Sequence, residues 1–208
     1  KQEKTRLEVS SLVLWYNNIE ECYMKKIFIY YSLSNNGDVV ADYFRDKGYD
    51  IRKVISKHKY PKNFGLLMFS GGFRAGINIK DKLIDFNNDI SNYDEIVIGS
   101  PIWFDRVSPP INRVLDELDL FNKKVSFIFY SGGGEANKAS EKVKDIGDII
   151  ILKEPKKYKD ELKKLEVFME KKCSCKKTCK CGCQEGKKCT CKDCNCGCHE
   201  GKKCRCGK

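Results

Sequence analysis

The sequence predicts an α/β fold in which helices cover both faces of a five-stranded parallel sheet, over residues 25–170. Short apolar runs recur along this region, and such runs are typical of strands buried on both faces. Stretches with apolar residues at helical spacing separate them. Strands that alternate with helices in this way favour a doubly wound sheet.

The first half of the region predicts two strands and one clear helix. The apolar run 27–31 is the first strand, and residues 39–47 have the helical spacing, with Gly48 as the stop. Residues 50–55 form a weaker strand, which we expect at the edge of the sheet. Residues 63–92 contain a Gly71-Gly72 break and predict helix and loop.

The second half continues the alternation. A proline pair before an apolar helical face is typical of a helix start. The predicted strands are 96–99, 125–130 and 149–152, and the predicted helices begin at Pro109-Pro110 and cover 136–143 and 158–169.

Charge is concentrated at one end of the chain. The protein has a formal charge of +11, and residues 171–208 contribute +9 of it through 12 basic and three acidic residues. The near-neutral remainder argues against a nucleic-acid or membrane binder, because such surfaces require clustered positive charge. We expect no membrane partner and no specific nucleic-acid partner.

The sequence shows neither an apolar run of the ~20 residues that span a bilayer nor a secretory signal. We therefore expect a cytoplasmic protein in a reducing environment, where clustered thiols indicate metal binding. Residues 1–24 precede the first strand as an extension of unknown role. The expected organisation is 1–24, the α/β domain 25–170, and a cysteine-rich tail 171–208.

Three strands end in loops whose composition suits a ligand. Ligands of open parallel sheets bind beyond the carboxyl ends of the strands, where hydroxyls and a helix N-terminus suit phosphate, an aromatic ring suits a flat cofactor, and glycines allow close approach. The candidate binding residues are Ser32, Ser34, Asn35, Asn36 and Gly37 after the first strand, Pro101, Ile102, Trp103 and Phe104 after the third, and Ser131, Gly132 and Gly133 after the fourth.

These loops resemble those of the flavodoxins and related flavodoxin-like FMN proteins. The family's phosphate loop is approximately [S/T]-x-T-G-N-T, and here it reads Ser-Leu-Ser-Asn-Asn-Gly at residues 32–37, with Val40-Ala41 after it. The family's flavin-side loop often reads Y-D-x-I-x-[IL]-G-x-P-x-W, which residues 93–103 match closely. The resemblance implies a strand order of 2-1-3-4-5 and a bound FMN that carries electrons to a redox partner protein or a small-molecule acceptor.

Two positions depart from the family's phosphate loop. Gly37 stands where threonine is usual, which removes a phosphate-binding hydroxyl. Asn35 stands where glycine is usual and predicts a left-handed backbone, which asparagine tolerates. No catalytic acid–base pair is evident, and we expect His58, in a lysine-rich stretch, to be exposed.

The tail is a repeat dense in cysteine. Residues 181–191 recur as 196–206, and the tail contains no aliphatic, aromatic or proline residue, so it cannot bury an apolar core. Cys-x-Cys spacing places two thiolates on one metal, and thiolates select Zn(II) or Cu(I). The candidate metal ligands are Cys173, Cys175, Cys179, Cys181, Cys183, Cys189, Cys191, Cys194, Cys196, Cys198, Cys204 and Cys206.

The tail resembles a metallothionein, and we expect it to be ordered by metal or disordered without it. A disulfide scaffold would require secretion, and ferredoxin-type cysteine spacing is absent. A zinc-knuckle match at Cys191, Cys194, His199 and Cys204 leaves most of the cysteines unexplained and lacks the aromatic residues that stack bases.

Three functions remain open. The first is FMN-dependent electron transfer combined with soft-metal binding by the tail. The second is metal storage or sequestration with a flavin-free flavodoxin-like carrier domain. The third is an NAD(P)H-dependent FMN or quinone reductase.

Overall fold

The computed structural model of this chain describes residues 25–61 and 63–170. They fall into two units, the first ending at Lys157 and the second beginning at Tyr158. Both the extension 1–24 and the cysteine-rich tail 171–208 lie outside the described residues.

The first unit is built on one sheet. Its strands are β1 (Lys26–Tyr30), β2 (Asp50–Lys53), β3 (Glu95–Trp103), β4 (Arg106–Val107), β5 (Lys124–Ser131) and β6 (Asp148–Lys153). Five strands are parallel in the order β2-β1-β3-β5-β6, and β4 pairs antiparallel with β3. The sheet therefore differs from the predicted order 2-1-3-4-5 by one added short strand, and β2 lies at the edge, as expected.

The helical segments follow the strands. They are α1 (Asn36–Asp46), α2 (Phe64–Leu67), a π-helical turn (Met68–Gly72), α3 (Phe73–Gly76), α4 (Pro109–Glu117), α5 (Asn137–Val143) and, in the second unit, α6 (Glu161–Glu170). α4 begins at the predicted proline pair because proline's fixed φ suits the first turn, where its missing N–H costs no bond.

Helices cover both faces of the sheet because successive strand residues point to opposite sides. On one face Phe28 of β1 stacks on Phe44 of α1, with ring centroids 4.6 Å apart. On the other face Ile29 belongs to a core cluster that includes Ile111 of α4 and Val143 of α5. The predicted double winding is confirmed.

β3 is longer than its predicted range, 96–99. Pro101 pairs with Tyr130 of β5, and Ile102 pairs with Val107 of β4, so the strand continues to Trp103. Most of the expected aromatic loop is therefore strand. The segment 63–92 is helical up to Gly76 and irregular beyond it, as expected, apart from a bridge between Ser56 and Leu83.

None of the helices in the described ranges is both long and apolar enough to cross a bilayer.

Candidate functional site

The carboxyl ends of β1, β3 and β5 form the candidate site. These strands are neighbours in the sheet. The order in which the chain adds strands changes from one side of β1 to the other between β2 and β3. The loop 32–37 follows β1, and the β3–β4 turn follows Trp103. Residues 132–134, which we call the glycine loop, follow Ser131 at the end of β5. The topology thus brings the three predicted loops to one edge, at the point where ligands of such sheets bind.

The loop after β1 is shaped by local hydrogen bonds. Asn35 has φ 66°, which confirms the expected left-handed backbone. The Gly37 N–H donates to Ser32 Oγ at 3.2 Å, and Asn36 Nδ2 donates to Ser34 Oγ at 3.1 Å. Asn36 Oδ1 also accepts from the Lys156 N–H at 3.0 Å, which joins the loop to the segment after β6.

This loop leaves several donors available. Among the described residues, the backbone N–H groups of Ser34, Asn35 and Asn36 have no hydrogen-bond acceptor. These N–H groups lie at the N-terminus of α1, an 11-residue helix. The helix dipole favours negative charge at its N-terminus. The arrangement can therefore bind an anion through the backbone.

Gly37 has a packing explanation that the sequence did not reveal. A Cβ at this position would lie 2.6 Å from Tyr130 Oη and 2.8 Å from Tyr30 Cδ2. The threonine usual in flavodoxin-like loops does not fit beneath these rings. Glycine stands here because two tyrosines occupy the space of a side chain.

Asp38, in the first turn of α1, carries the negative charge nearest this loop. Its Oδ1 accepts from Tyr30 Oη at 2.9 Å and from Lys53 Nζ at 2.5 Å. Burial raises the pKa of Asp38, but hydrogen bonds from Lys53, Ser32 and Tyr30 outweigh it, so the net pKa lies below its usual value. The ionised carboxylate is offset by the Lys53 ammonium, which limits its repulsion of an anion at the loop.

Trp103, the predicted aromatic plate, is packed in the core with only 5% of its surface exposed. The edges of Tyr60 and Tyr31 meet it, with centroids 4.7 and 6.1 Å away. A Cβ at Gly71 would come within 3.1 Å of its ring. Stacking of a flavin on Trp103 stays a prediction, and it would require this packing to open.

Phe104 is the exposed aromatic residue of this loop. Its side chain lies over Gly72, where a Cβ would come within 1.9 Å of the ring, yet 57% of its surface is exposed. Phe104 and Asp105 have φ values of 49° and 59°, which are typical of a two-residue type I′ turn. Asn-Gly is the usual signal for that turn, so the Phe104-Asp105 pair does not predict a hairpin from the sequence.

The hairpin turn also fixes the start of α5. The Asp105 carbonyl accepts from the Ala139 N–H at 2.9 Å. Asp105 Oδ2 accepts from the Lys138 N–H at 3.1 Å. Because α5 follows the glycine loop, these bonds hold the aromatic turn and the glycine loop in one arrangement.

The glycine loop is open. A Cβ on Gly132 or Gly133 would meet no atom within 4 Å, so packing within the described residues does not require glycine at either position. Gly134, in contrast, has φ 80°, a conformation that favours glycine. The two open glycines leave the backbone accessible at the sheet edge.

A buried network that the sequence did not indicate supports the aromatic residues. The Asp81 carboxylate accepts from Ser56 Oγ at 2.8 Å, from Tyr60 Oη at 2.7 Å and from Arg74 Nη2 at 2.7 Å. Burial and the hydrogen bond to Asp81 raise the pKa of Tyr60, so its hydroxyl stays protonated and holds the ring against Trp103. These four residues are far apart in sequence and form no motif.

Two further expectations concern catalysis and metal. His58 is exposed, as expected, and its ring meets Tyr60 at 4.6 Å. The 12 predicted cysteine ligands lie outside the described residues. Within residues 25–61 and 63–170, no group of three histidine, cysteine or acidic side chains is arranged to hold a metal ion.

Comparison with known protein families assigns the chain to one of them. The model of the NADPH-dependent FMN reductase family matches residues 29–153, a range from β1 to the end of β6 that contains all three strand-end loops. The protein belongs to this family. No curated protein matches the chain.

Solved structures share the fold. A Bacteroides eggerthii protein assigned as a flavoprotein has 19% identity and a TM-score of 0.54, over 71% of this chain and 99% of that one. A Lactobacillus acidophilus flavoprotein in complex with FMN has 20% identity and a TM-score of 0.51, over 66% and 98%. A similarly assigned protein from Bacteroides uniformis has 17% identity and a TM-score of 0.50, over 68% and 99%. At these identities the likeness shows the flavodoxin-like α/β fold.

The close packing at Gly37 predicts the effect of a single methyl group. Gly37→Ala should lower the free energy of unfolding by about 1–3 kcal/mol, because the methyl would overlap Tyr130 and Tyr30. In a Tyr130→Phe background the same substitution should cost less than in the wild-type protein, because the atom nearest the added methyl is absent. Urea unfolding monitored by circular dichroism measures both effects.

Gly133→Ala is the matched control, since its methyl meets no neighbouring atom. Equal unfolding free energies for Gly37→Ala and Gly133→Ala would contradict the packing explanation.

Proposed function

We propose that this protein binds FMN at the carboxyl ends of β1, β3 and β5 and works as an oxidoreductase. It would take electrons from NADPH and pass them to a redox partner protein or a small-molecule acceptor. The convergence of three complementary loops at one sheet edge carries the proposal. Membership of the NADPH-dependent FMN reductase family favours NADPH as the donor over a purely protein-to-protein carrier.

The loop 32–37 would hold the phosphate group. The N–H groups of Ser34, Asn35 and Asn36 are available there, at the positive end of α1. The hydroxyl of Ser34 adds a polar group beside them. Since Lys53 offsets the charge of Asp38, the Asp38 carboxylate would repel the phosphate only weakly.

The turn after β3 and the glycine loop would hold the ring system. Gly132 and Gly133 leave space that any side chain would fill, which suits close approach of a flat ring to the backbone. Phe104 supplies an exposed aromatic surface on the other loop. When bound, FMN supplies the redox chemistry, since it accepts a hydride and releases electrons. The protein contributes binding, orientation and exclusion of water.

Flavin binding is tested by the absorption spectrum of the full-length protein purified without added flavin, followed by FMN titration of the flavin-free form. We expect a flavin spectrum. Gly133→Ala should weaken FMN binding about tenfold, because a methyl group would enter the space proposed for the ring.

Gly76→Ala is the matched control, because its methyl also meets no atom within 4 Å but lies at the end of α3. Equal FMN affinity in the two variants would contradict the proposal that the flavin ring binds at the glycine loop. A protein that binds no FMN would favour the carrier alternative, in which the domain only supports a metal-storing tail. Loss of the flavin absorbance on anaerobic addition of NADPH distinguishes a reductase from a carrier.

For the tail, we propose metal–thiolate binding. Five separate Cys-x-Cys pairs, two of them extended by Cys183 and Cys198, provide enough thiolates to share Zn(II) or Cu(I) ions. The basic residues of the tail would offset the charge of such a cluster. A chain without apolar side chains has no other source of order, so metal binding and folding are coupled.

A deletion ending at Glu170 should lose nearly all tightly bound soft metal and keep its flavin. Metal analysis and flavin absorbance of the truncated and full-length proteins measure this. Cys22→Ser is the control, because it removes the one cysteine outside the tail and should leave metal content unchanged. Binding should weaken as pH falls, because protons compete for the thiolates. Equal metal content in the truncated and full-length proteins would contradict the proposal.

A further inference from the structure

A groove of about 700 Å³ lies between the β4 strand and α5. Three basic side chains contribute to its lining, and we call it the basic groove. The residues that matter are Arg106, Val107, Lys138, Ala139 and Lys142.

The basic groove begins beside the proposed flavin site. Arg106 is paired with Trp103 across the β3–β4 hairpin. The Lys138 N–H is bonded to Asp105 of the same turn. From there the groove follows α5 away from the glycine loop to Lys142.

The cations of the basic groove form no ion pair among the described residues. Within the described residues, neither the Arg106 guanidinium nor the Lys138 ammonium has a hydrogen-bond or ion-pair partner. Lys142 Nζ donates at 2.7 Å to Asn112 Oδ1, a neutral acceptor on a buried residue. Glu141 is the acidic residue of the lining, and it pairs with Lys144, outside the groove.

These cations also repel one another. Burial lowers the pKa of Lys142, and the charges of Lys80 and Arg106 lower it further. Lys80 is paired with Asp116, whereas Arg106 has no acidic partner in the part of the chain that the structure describes. An anion in the basic groove would offset this repulsion.

We infer that the basic groove binds the 2′-phosphate group of NADPH, with Arg106 and Lys138 as the anion contacts. The inference rests on the proposed function, since it assigns a site to the nucleotide that would reduce the flavin. It adds that preference for NADPH over NADH resides in these two side chains, because guanidinium and ammonium groups bind phosphate through charge-assisted hydrogen bonds. The groove begins beside the β3–β4 turn, which belongs to the proposed flavin site.

The test uses full-length FMN-loaded protein with Arg106→Gln, Lys138→Gln and the double variant. Calorimetric titration with adenosine 2′,5′-bisphosphate measures anion binding without redox chemistry, and steady-state assays measure KM for NADPH and NADH. The double variant should weaken bisphosphate binding and raise KM for NADPH about tenfold or more. Its kcat, its KM for NADH and its FMN affinity should change less than twofold.

Lys47→Gln is the charge-matched control, because Lys47 is exposed at the far end of α1, and it should change none of these values. Unchanged KM for NADPH in the double variant, in a protein that binds FMN and oxidises NADPH, would overturn the inference alone. Loss of FMN affinity in the double variant would also overturn it, by assigning the groove to the flavin.

Two outcomes separate the inference from the proposed function. Wild-type protein that binds the bisphosphate through Arg106 and Lys138 but oxidises no NADPH would support the groove and refute the proposed reductase. Wild-type protein that binds polyglutamate but not the bisphosphate would overturn the inference in favour of an acidic protein partner.

Discussion

A single buried hydroxyl links the three strands on which the candidate site depends. Tyr130 Oη, at the end of β5, donates a 2.8 Å hydrogen bond to the Tyr31 carbonyl after β1, and β3 lies between these two strands. The side chain can cross β3 because Gly99 leaves room, since a Cβ there would lie 2.8 Å from this hydroxyl. The same atom excludes a side chain at Gly37. Burial raises the pKa of Tyr130, so the hydroxyl keeps the proton that it donates.

The packing around Tyr130 also affects how the carboxyl ends of the strands can bind an anion. With glycine at position 37, the loop after β1 offers backbone N–H groups where a threonine hydroxyl would otherwise help to bind an anion. The Asp38 carboxylate is offset by Lys53, whereas Arg106 and Lys138 form no ion pair within the described residues. The near-neutral total for residues 1–170 therefore conceals a local positive region beside the proposed ring site.

Much of the fold was predictable because its signals are local. Apolar runs marked the strands, the proline pair marked α4, and the loops after β1 and β5 lie where they were expected, whereas most of the expected loop after β3 belongs to the strand. The β4 hairpin was missed because Phe104 and Asp105 adopt positive φ without glycine or asparagine. The burial of Trp103 and the network around Asp81 depend on contacts between residues distant in sequence, which no short motif encodes. In the sequence, Gly37 signals only the loss of a phosphate-binding hydroxyl, and the packing of Tyr130 shows why glycine is required.

The proposed site requires the loop 32–37 to hold the phosphate of a flavin nucleotide. Comparing the dissociation constants of FMN and riboflavin for the flavin-free protein tests it most directly, because the two ligands differ only in that phosphate. Several charge-assisted hydrogen bonds to backbone N–H groups predict that FMN binds roughly a hundredfold more tightly. Equal affinity for the two flavins would contradict the account.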